Sequence, residues 1–387
     1  MKGERGENDH KLSQSPKRSC CLEITAGDVN IPLDLTVEIL KKLPAKSLVR
    51  FQCVSKQWST IIGTCKDFIN SIVTRSLAQP RCDLHFIFHH CSSDPFFFFS
   101  STYHQKEHSL PIPRQCQCGM FEYQYVRGLF CCSSLAFSDL VKIYNPTTRQ
   151  SVSLPEIKYP SNKRLCFFGY DHFMNQYKVM CVINGLEDQS SEHVCQVFTL
   201  GDPMKQWRNI QGIGNHSPTV SGVHINGTTY YGARIPPKNP SGEVMLLSFD
   251  FRSERFDHIN TPKAMANINR NLTLVNYKGK LGCLCCSNGG QMWVMENAEK
   301  QEWSKTIFCL PEYPLQGLRC PRFSGVTLGG EIFILQLIYD PNDPLYVYYY
   351  DPEQHSARRT EIQGTSPRSD SMLIVGVPDH VENTMRL

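Results

Sequence analysis

Thiols are the first residues in this chain that invite chemistry. There are 18 cysteines among 387 residues, and the runs CLCC at 283–286 and CQC at 116–118 bring several within the spacing of a zinc knuckle. A knuckle needs its ligands on one side. In an extended strand Cys283 and Cys285 face one way and Cys286 the other, which separates the Cys283/Cys286 pair. The histidines at 85, 89, 90, 104 and 108, with Cys91, follow no ligand spacing. A cysteine that carries an acyl group needs a low-pKa thiolate beside a base. Cys131, Cys132, Cys181 and Cys285 instead lie in apolar runs, where a thiol serves as a small hydrophobe. Tyr170-Asp171 and Asp250 fall at strand ends, the usual place for an Asp that caps its own turn. No Gly-rich loop opens a helix to cradle phosphate. The chain is therefore expected to have no catalytic residue, no metal and no cofactor.

Partner classes follow from charge and hydropathy. A net charge of +4 on 387 residues gives no electrostatic footprint for nucleic acid or an anionic membrane surface. No stretch approaches the roughly 18 apolar residues of a membrane span. Residues 1–28 are too polar for a secretory leader and read as a disordered arm. Without such a leader the cysteines are expected to be reduced, and the protein is expected in the nucleus and/or cytoplasm. The sequons at Asn226 and Asn271 then carry no meaning.

Two kinds of element must position whatever this chain does. The first is helical. In IPLDLTVEILKKLPAKSLVRFQCVSKQWSTII, residues 31–62, Asp34 occupies an N-cap place and Leu35, Ile39 and Leu43 recur every four residues, with Leu40 beside them. Pro44 ends that helix. A second is predicted over 45–51, and a third carries Val54, Trp58, Ile61 and Ile62 on one stripe, with Gly63 as its stop. Three helices of about ten residues supply too little core to stand alone. They must pack on the rest of the chain or on another protein, and spacing alone leaves both open.

The second kind is strand. From 82 to 379, β-branched and aromatic runs alternate with turns. One unit, an apolar run, a tight turn and a second apolar run, recurs around residues 128, 176, 227, 279 and 330, a spacing close to the ~40–50 residues of propeller repeats. Each is followed by a second hairpin, as in VKIYNPTTRQSVSLP and LLSFDFRSERFDHI. The segment CDLHFIFHHCSSDPFFFFSS reads as a degenerate first blade, and SMLIVGV at 371–377 as the strand that closes the ring. About six blades result. Trp207, Trp303, Phe256 and Tyr349 recur once per blade, as packing residues do.

The helical segment resembles an F-box. Pro32, Asp34 and Leu35 open it, EIL stands at 38–40, LPAKSL at 43–48 and RFQCVSKQW at 50–58. The departures are Ile31 in place of Leu, and Gln52 and Ser55 in place of a basic residue and a cysteine; none removes a large apolar anchor. The repeats resemble the F-box-associated domain of plants, carried by YNPTTRQSVSLP at 144–155, FFGYDHFMNQYKVMCV at 167–182, INGTTYYGAR at 225–234 and WVMENAEKQEWS at 293–304. The resemblance implies an α+β multidomain chain: a polar arm (1–28), a small three-helix F-box (29–75), an all-β propeller (82–379) and a tail (380–387).

It also implies a substrate-recognition subunit of a cullin-based (SCF-type) ubiquitin ligase, non-catalytic itself. The F-box would dock on the SKP-type adaptor and the propeller would hold a target protein. Ile31, Pro32, Leu35, Ile39, Leu40, Leu43, Leu48, Val54 and Trp58 match the motif's apolar positions and are the candidate adaptor contacts, with Leu35 and Trp58 foremost as large anchors. Two rivals remain: a propeller scaffold not engaged with a ligase, and a propeller enzyme, for which no repeating set of acids or metal ligands can be assembled.

Overall fold

The computed structural model describes residues 31–79, 84–89, 96–100, 105–109, 121–134, 140–157, 163–184, 194–234, 244–263, 265, 272–285, 290–308, 321–336, 338–339, 344–362 and 372–387. The polar arm, the CQC run and Cys286 lie outside these residues.

Four helices open the described chain, one more than expected: α1 (Leu33–Lys41), α2 (Ala45–Phe51), α3 (Lys56–Thr64) and α4 (Lys66–Ala78). Pro32 and Pro44 occupy the N-cap positions of α1 and α2, so Pro44 starts one helix rather than merely ending another. Asp34 is not the cap. It lies in the first turn of α1, where a negative charge favours the helix dipole. Ser55 caps α3, accepting a bond from the Trp58 N–H (3.1 Å). Val54 therefore lies in the turn before that helix, off its stripe, and α3 runs one residue past Gly63.

The unexpected helix completes the core of the others. Phe68 and Ile72 of α4 pack with Leu40, Leu48, Ile61 and Ile62, while Val37, Leu43, Phe51 and Trp58 cover the edges. The Arg75 guanidinium donates to the carbonyls of Lys41 and Leu43, closing the end of α1. The opposite face of α4 carries Ile69 and Val73, which pack against Val381 near the other end of the chain. The helices thus rest on the β-region through α4, one of the two alternatives, and another side of them is left open.

Strands β1 (Leu84–His89), β2 (Phe96–Ser100) and β3 (Gln105–Ser109) begin the first blade. The second contains β4 (Phe121–Val126), β5 (Leu129–Ser134), β6 (Val141–Asn145) and β7 (Gln150–Ser153), and the third β8 (Lys163–Asp171), β9 (Gln176–Asn184), β10 (Val194–Thr199) and β11 (Arg208–Ile210). The fourth has β12 (Ser217–Ile225), β13 (Thr228–Arg234), β14 (Met245–Asp250) and β15 (Arg255–Ile259), and the fifth β16 (Leu272–Tyr277), β17 (Lys280–Cys285), β18 (Gln291–Asn297) and β19 (Glu302–Ile307). The sixth is built from β20 (Pro321–Val326), β21 (Ile332–Gln336), β23 (Leu345–Asp351) and β24 (Ser356–Ile362), with the two-residue β22 (Ile338–Tyr339) between them. β25 (Met372–Val377) pairs with β1, as expected of a closing strand, and β22 adds to its other edge. Five four-stranded sheets and one five-stranded sheet result, a six-bladed ring with no free terminal edge at the seam.

The recurring turns are tight for a physical reason. Arg127-Gly128, Asn226-Gly227 and Lys278-Gly279 each pair two residues of positive φ, the two-residue hairpin turn whose twist suits the flanking strands. Blade contacts are apolar and largely aromatic, as in the cluster of Phe167, Tyr231, Phe249 and Phe251 between the third and fourth blades. The per-blade aromatics belong to this packing. The indole N–H groups of Trp207 and Trp303 donate to the carbonyls of Pro155 (2.8 Å) and Asn260 (2.9 Å) in the preceding blade.

One expectation about thiols fails. Cys166 and Cys181 stand opposite each other in the β8–β9 hairpin and are joined by a disulfide. Strand register brings them together, and cysteine spacing alone does not show register.

Candidate functional site

Burial divides the nine candidate adaptor contacts. Leu40 and Leu48 are 0% exposed; they hold the helices together and reach no outside surface. Leu43 and Trp58 are half-buried, Trp58 lying edge-on to Phe51 with ring centres 5.6 Å apart. Pro32 is exposed, as are Ile31 (49%), Leu35 (53%), Ile39 (50%) and Val54 (60%). Ile31, Leu35 and Ile39 succeed one another at four-residue steps along the outside of α1 and the residues just before it. Leu33, 54% exposed, was not among the candidates. An unpaired apolar stripe of this kind is an interaction surface by default, since exposed large side chains gain by being covered.

A second concave region runs through the propeller. The first strand of each of blades two to six and β25 of the first blade surround a central channel with a cavity of about 650 Å³. Two of its polar side chains are committed to the ring. The Gln124 side chain donates to the Cys166 carbonyl and accepts from the Phe168 N–H, both at 2.7 Å, linking the second and third blades. His224 Nε2 accepts from the Tyr170 N–H (3.2 Å), linking the third and fourth; burial lowers its pKa to about 3, so it stays neutral. Leu77 of α4 and Val381 line the channel at the helical end.

The sequence-flagged acids are structural. Asp171 accepts from the N–H groups of Phe173 (3.0 Å) and Met174 (3.1 Å) and pairs with the buried Lys178 (3.2 Å); Asp250 caps Ser253. Burial raises the Glu254 carboxyl, but bonds from Arg208 and Lys178 outweigh it and hold its pKa below the ordinary value. Cys283 and Cys285 lie buried in β17, and burial pushes the Cys283 thiol well up, away from thiolate character. Among the described residues no three His, Cys, Asp or Glu side chains gather as a metal site, and no helix is long and apolar enough to cross a membrane.

Comparison with known proteins places both modules. Residues 29–70 match the F-box domain, and residues 83–381 match the F-box associated beta propeller domain. The chain belongs to the F-box-associated propeller family. Relatives of this F-box protein include plant proteins. One F-box protein of Arabidopsis thaliana is 47% identical over 379 residues, covering 93% of this chain and 88% of the relative. Two putative F-box proteins of the same plant are 43% identical over 391 residues (99% of each chain) and 49% identical over 315 residues (78% of this chain and all of the relative). An F-box followed by a propeller is the architecture of a substrate-receptor-type protein.

Proposed function

We propose that this F-box protein is the target-recognition subunit of an SCF-type ubiquitin ligase. Its helices dock on the SKP-type adaptor, and through it on a cullin, and its propeller binds the protein to be ubiquitinated. The observation that carries the reading is the uncovered stripe of Ile31, Leu35 and Ile39, with Val54 also exposed, on helices whose other faces are already packed. Large anchors seated in pockets dominate interfaces of this kind.

The subunit contributes no bond-making group in this reading. It raises the local concentration of target lysines beside the conjugating enzyme, an effect of proximity. The helices sit at the end of the ring that holds the first-to-second and third-to-fourth strand turns, where Arg127 donates to Asn70 of α4 (2.7 Å). Target capture is assigned to the opposite end. Connections there, such as Ile259 to Leu272 and Ile307 to Pro321, are the longest in sequence in the propeller, and long loops on a rigid scaffold are the usual carriers of recognition. The same reading expects the protein in the nucleus and/or cytoplasm, which fractionation of cells checks.

The test is a titration of the full chain with purified adaptor. Leu35→Asp combined with Ile39→Asp should abolish binding while the circular dichroism of the propeller is unchanged. Undiminished binding by that variant would refute the docking surface, and failure of the native chain to bind would favour the scaffold rival.

A further inference from the structure

The segment after β25 is not a loose tail. Residues 379–387 run between the helices and the propeller and bond to both. Toward the propeller, the Leu328 N–H donates to Asp379 (2.6 Å), the His380 ring stacks on His85 of β1 with ring centres 3.7 Å apart, and the Val381 N–H donates to the Tyr125 hydroxyl (2.7 Å). Toward the helices, the Glu382 N–H donates to Ser76 of α4 (2.9 Å), the Arg386 N–H donates to the Gly63 carbonyl of α3 (2.9 Å), and Val381 packs on Ile69 and Val73. Met385 touches both apolar clusters.

Asn383 is the centre of this arrangement and is fully buried. Its side-chain amide donates to the Arg127 carbonyl (2.9 Å) and the Tyr177 hydroxyl (2.7 Å), its side-chain oxygen accepts from the Met385 N–H (2.9 Å), and its backbone N–H donates to Thr147 (3.0 Å). A second buried amide, Asn145, donates to the carbonyls of Asn383 (2.9 Å) and Met385 (2.8 Å). Two buried amides with their donors and acceptors used are costly to break, because each orphaned group would keep its desolvation penalty. The approach is also close. A Cβ on Gly128, already at φ +89, would come within 2.5 Å of the Val381 carbonyl and 2.7 Å of Asn383 Cβ.

We propose that residues 379–387 are an internal strap that fixes the F-box at one orientation on the propeller, with Asn383 as its positioning residue. Without the strap, the short connection from Ala78 to Leu84 and the Arg127–Asn70 bond would leave the modules a small interface, and relative motion is the default unless the interface is extensive. The strap adds a layer that contacts the first, second, third and sixth blades on one side and α3 and α4 on the other. Its effect on ubiquitin transfer rests on the ligase reading above: a fixed angle keeps the captured target within reach of the conjugating enzyme, and a pivoting one dilutes it. The strap itself does not depend on that reading.

The test measures orientation directly in the full chain. Spin labels introduced by non-natural amino acids at Lys46 on α2 and Lys300 in the β18–β19 turn, both exposed, report the distance between modules. The native chain should give one narrow distance distribution. Asn383→Ala, which breaks the strap from the propeller side, and Val73→Asp, which breaks it from the helix side, should each broaden it. Adaptor affinity should stay within about twofold in both, because neither residue reaches the adaptor-facing stripe. A narrow distribution in either variant would overturn the proposal, and so would a loss of adaptor binding that accompanies the broadening. If the native chain binds no adaptor, the docking reading fails, and the distance measurement still decides whether the strap exists.

Discussion

Ile39 and Leu40 are neighbours in one helix, similar in size and both part of the motif, yet they should respond oppositely to truncation. Leu40 is completely buried among Leu48, Ile61, Ile62, Phe68 and Ile72. Leu40→Ala removes its buried methyl groups and leaves a cavity, at a cost of about 2–5 kcal/mol. Ile39 is 50% exposed, and Ile39→Ala should change stability by no more than about 0.5–1 kcal/mol, as surface changes do. In opening equilibria that is roughly 30-fold to several thousand-fold for Leu40, at about 1.4 kcal/mol per factor of ten, against less than about sixfold for Ile39. Amide exchange followed by mass spectrometry resolves this, because the cluster around Leu40 contains no propeller residue and separate cores open as separate units. Peptides from 33–78 should exchange far faster in Leu40→Ala than in Ile39→Ala, with the blades unaffected in both. Adaptor affinity, corrected for the fraction folded, should fall in Ile39→Ala. Equal acceleration of exchange in the two variants would refute the division of the motif into an inner and an outer face.

Other predictions concern the ring. Gly128→Ala should lower the melting temperature markedly, because it meets both positive φ and the strap's backbone, whereas Gly201→Ala, at φ +81 with nothing within 4 Å of its Cβ, should cost only the backbone strain of about 1 kcal/mol; similar losses in a thermal melt would argue against the close approach. Lys178→Met leaves Asp171 buried without its partner and should destabilise the propeller by about 3–5 kcal/mol, with Asp171→Asn in the same chain recovering much of it. Glu254 has a folded pKa below its ordinary 4.5, so its contribution is complete above that value and is lost as pH falls through the lower, folded one. The native melting temperature should therefore drop in that acid range, and Glu254→Gln, less stable at neutral pH, should converge with it there.

Much of the architecture was legible because it repeats. Hairpin turns near residues 128, 227 and 279 announce themselves by residue type, and the apolar runs between them by alternation, so the ring and its closing strand at 371–377 followed. The helix over 45–51 was equally plain, and so was the first apart from its ends: its apolar stripe runs on to Leu43, past Lys41 where α1 stops. α4 was missed although its buried set, Phe68, Ile69, Ile72, Val73 and Ser76, is periodic; Asp67, Asn70, Ser71, Thr74 and Arg75 dilute it and it lies past the recognisable motif. That omission also hid which motif residues face inward, since Phe68 and Ile72 decide the fate of Leu40 and Leu48. Asp34 suits a cap by type, but Pro32 had already set the entry of the chain. The Cys166–Cys181 pair depends on strand register, and the strap on irregular backbone meeting distant turns. Neither leaves a periodic trace.

On the ligase reading the outer face of α1 and the turn at Val54 meet the adaptor while the propeller does not. Amide-exchange footprinting of the full chain with and without saturating adaptor tests it in one measurement. Peptides covering 31–41 and 50–58 should gain protection on complex formation, and peptides from the far-end loops should not change. Protection confined to the propeller, with 31–58 exchanging as in the free protein, would contradict the account.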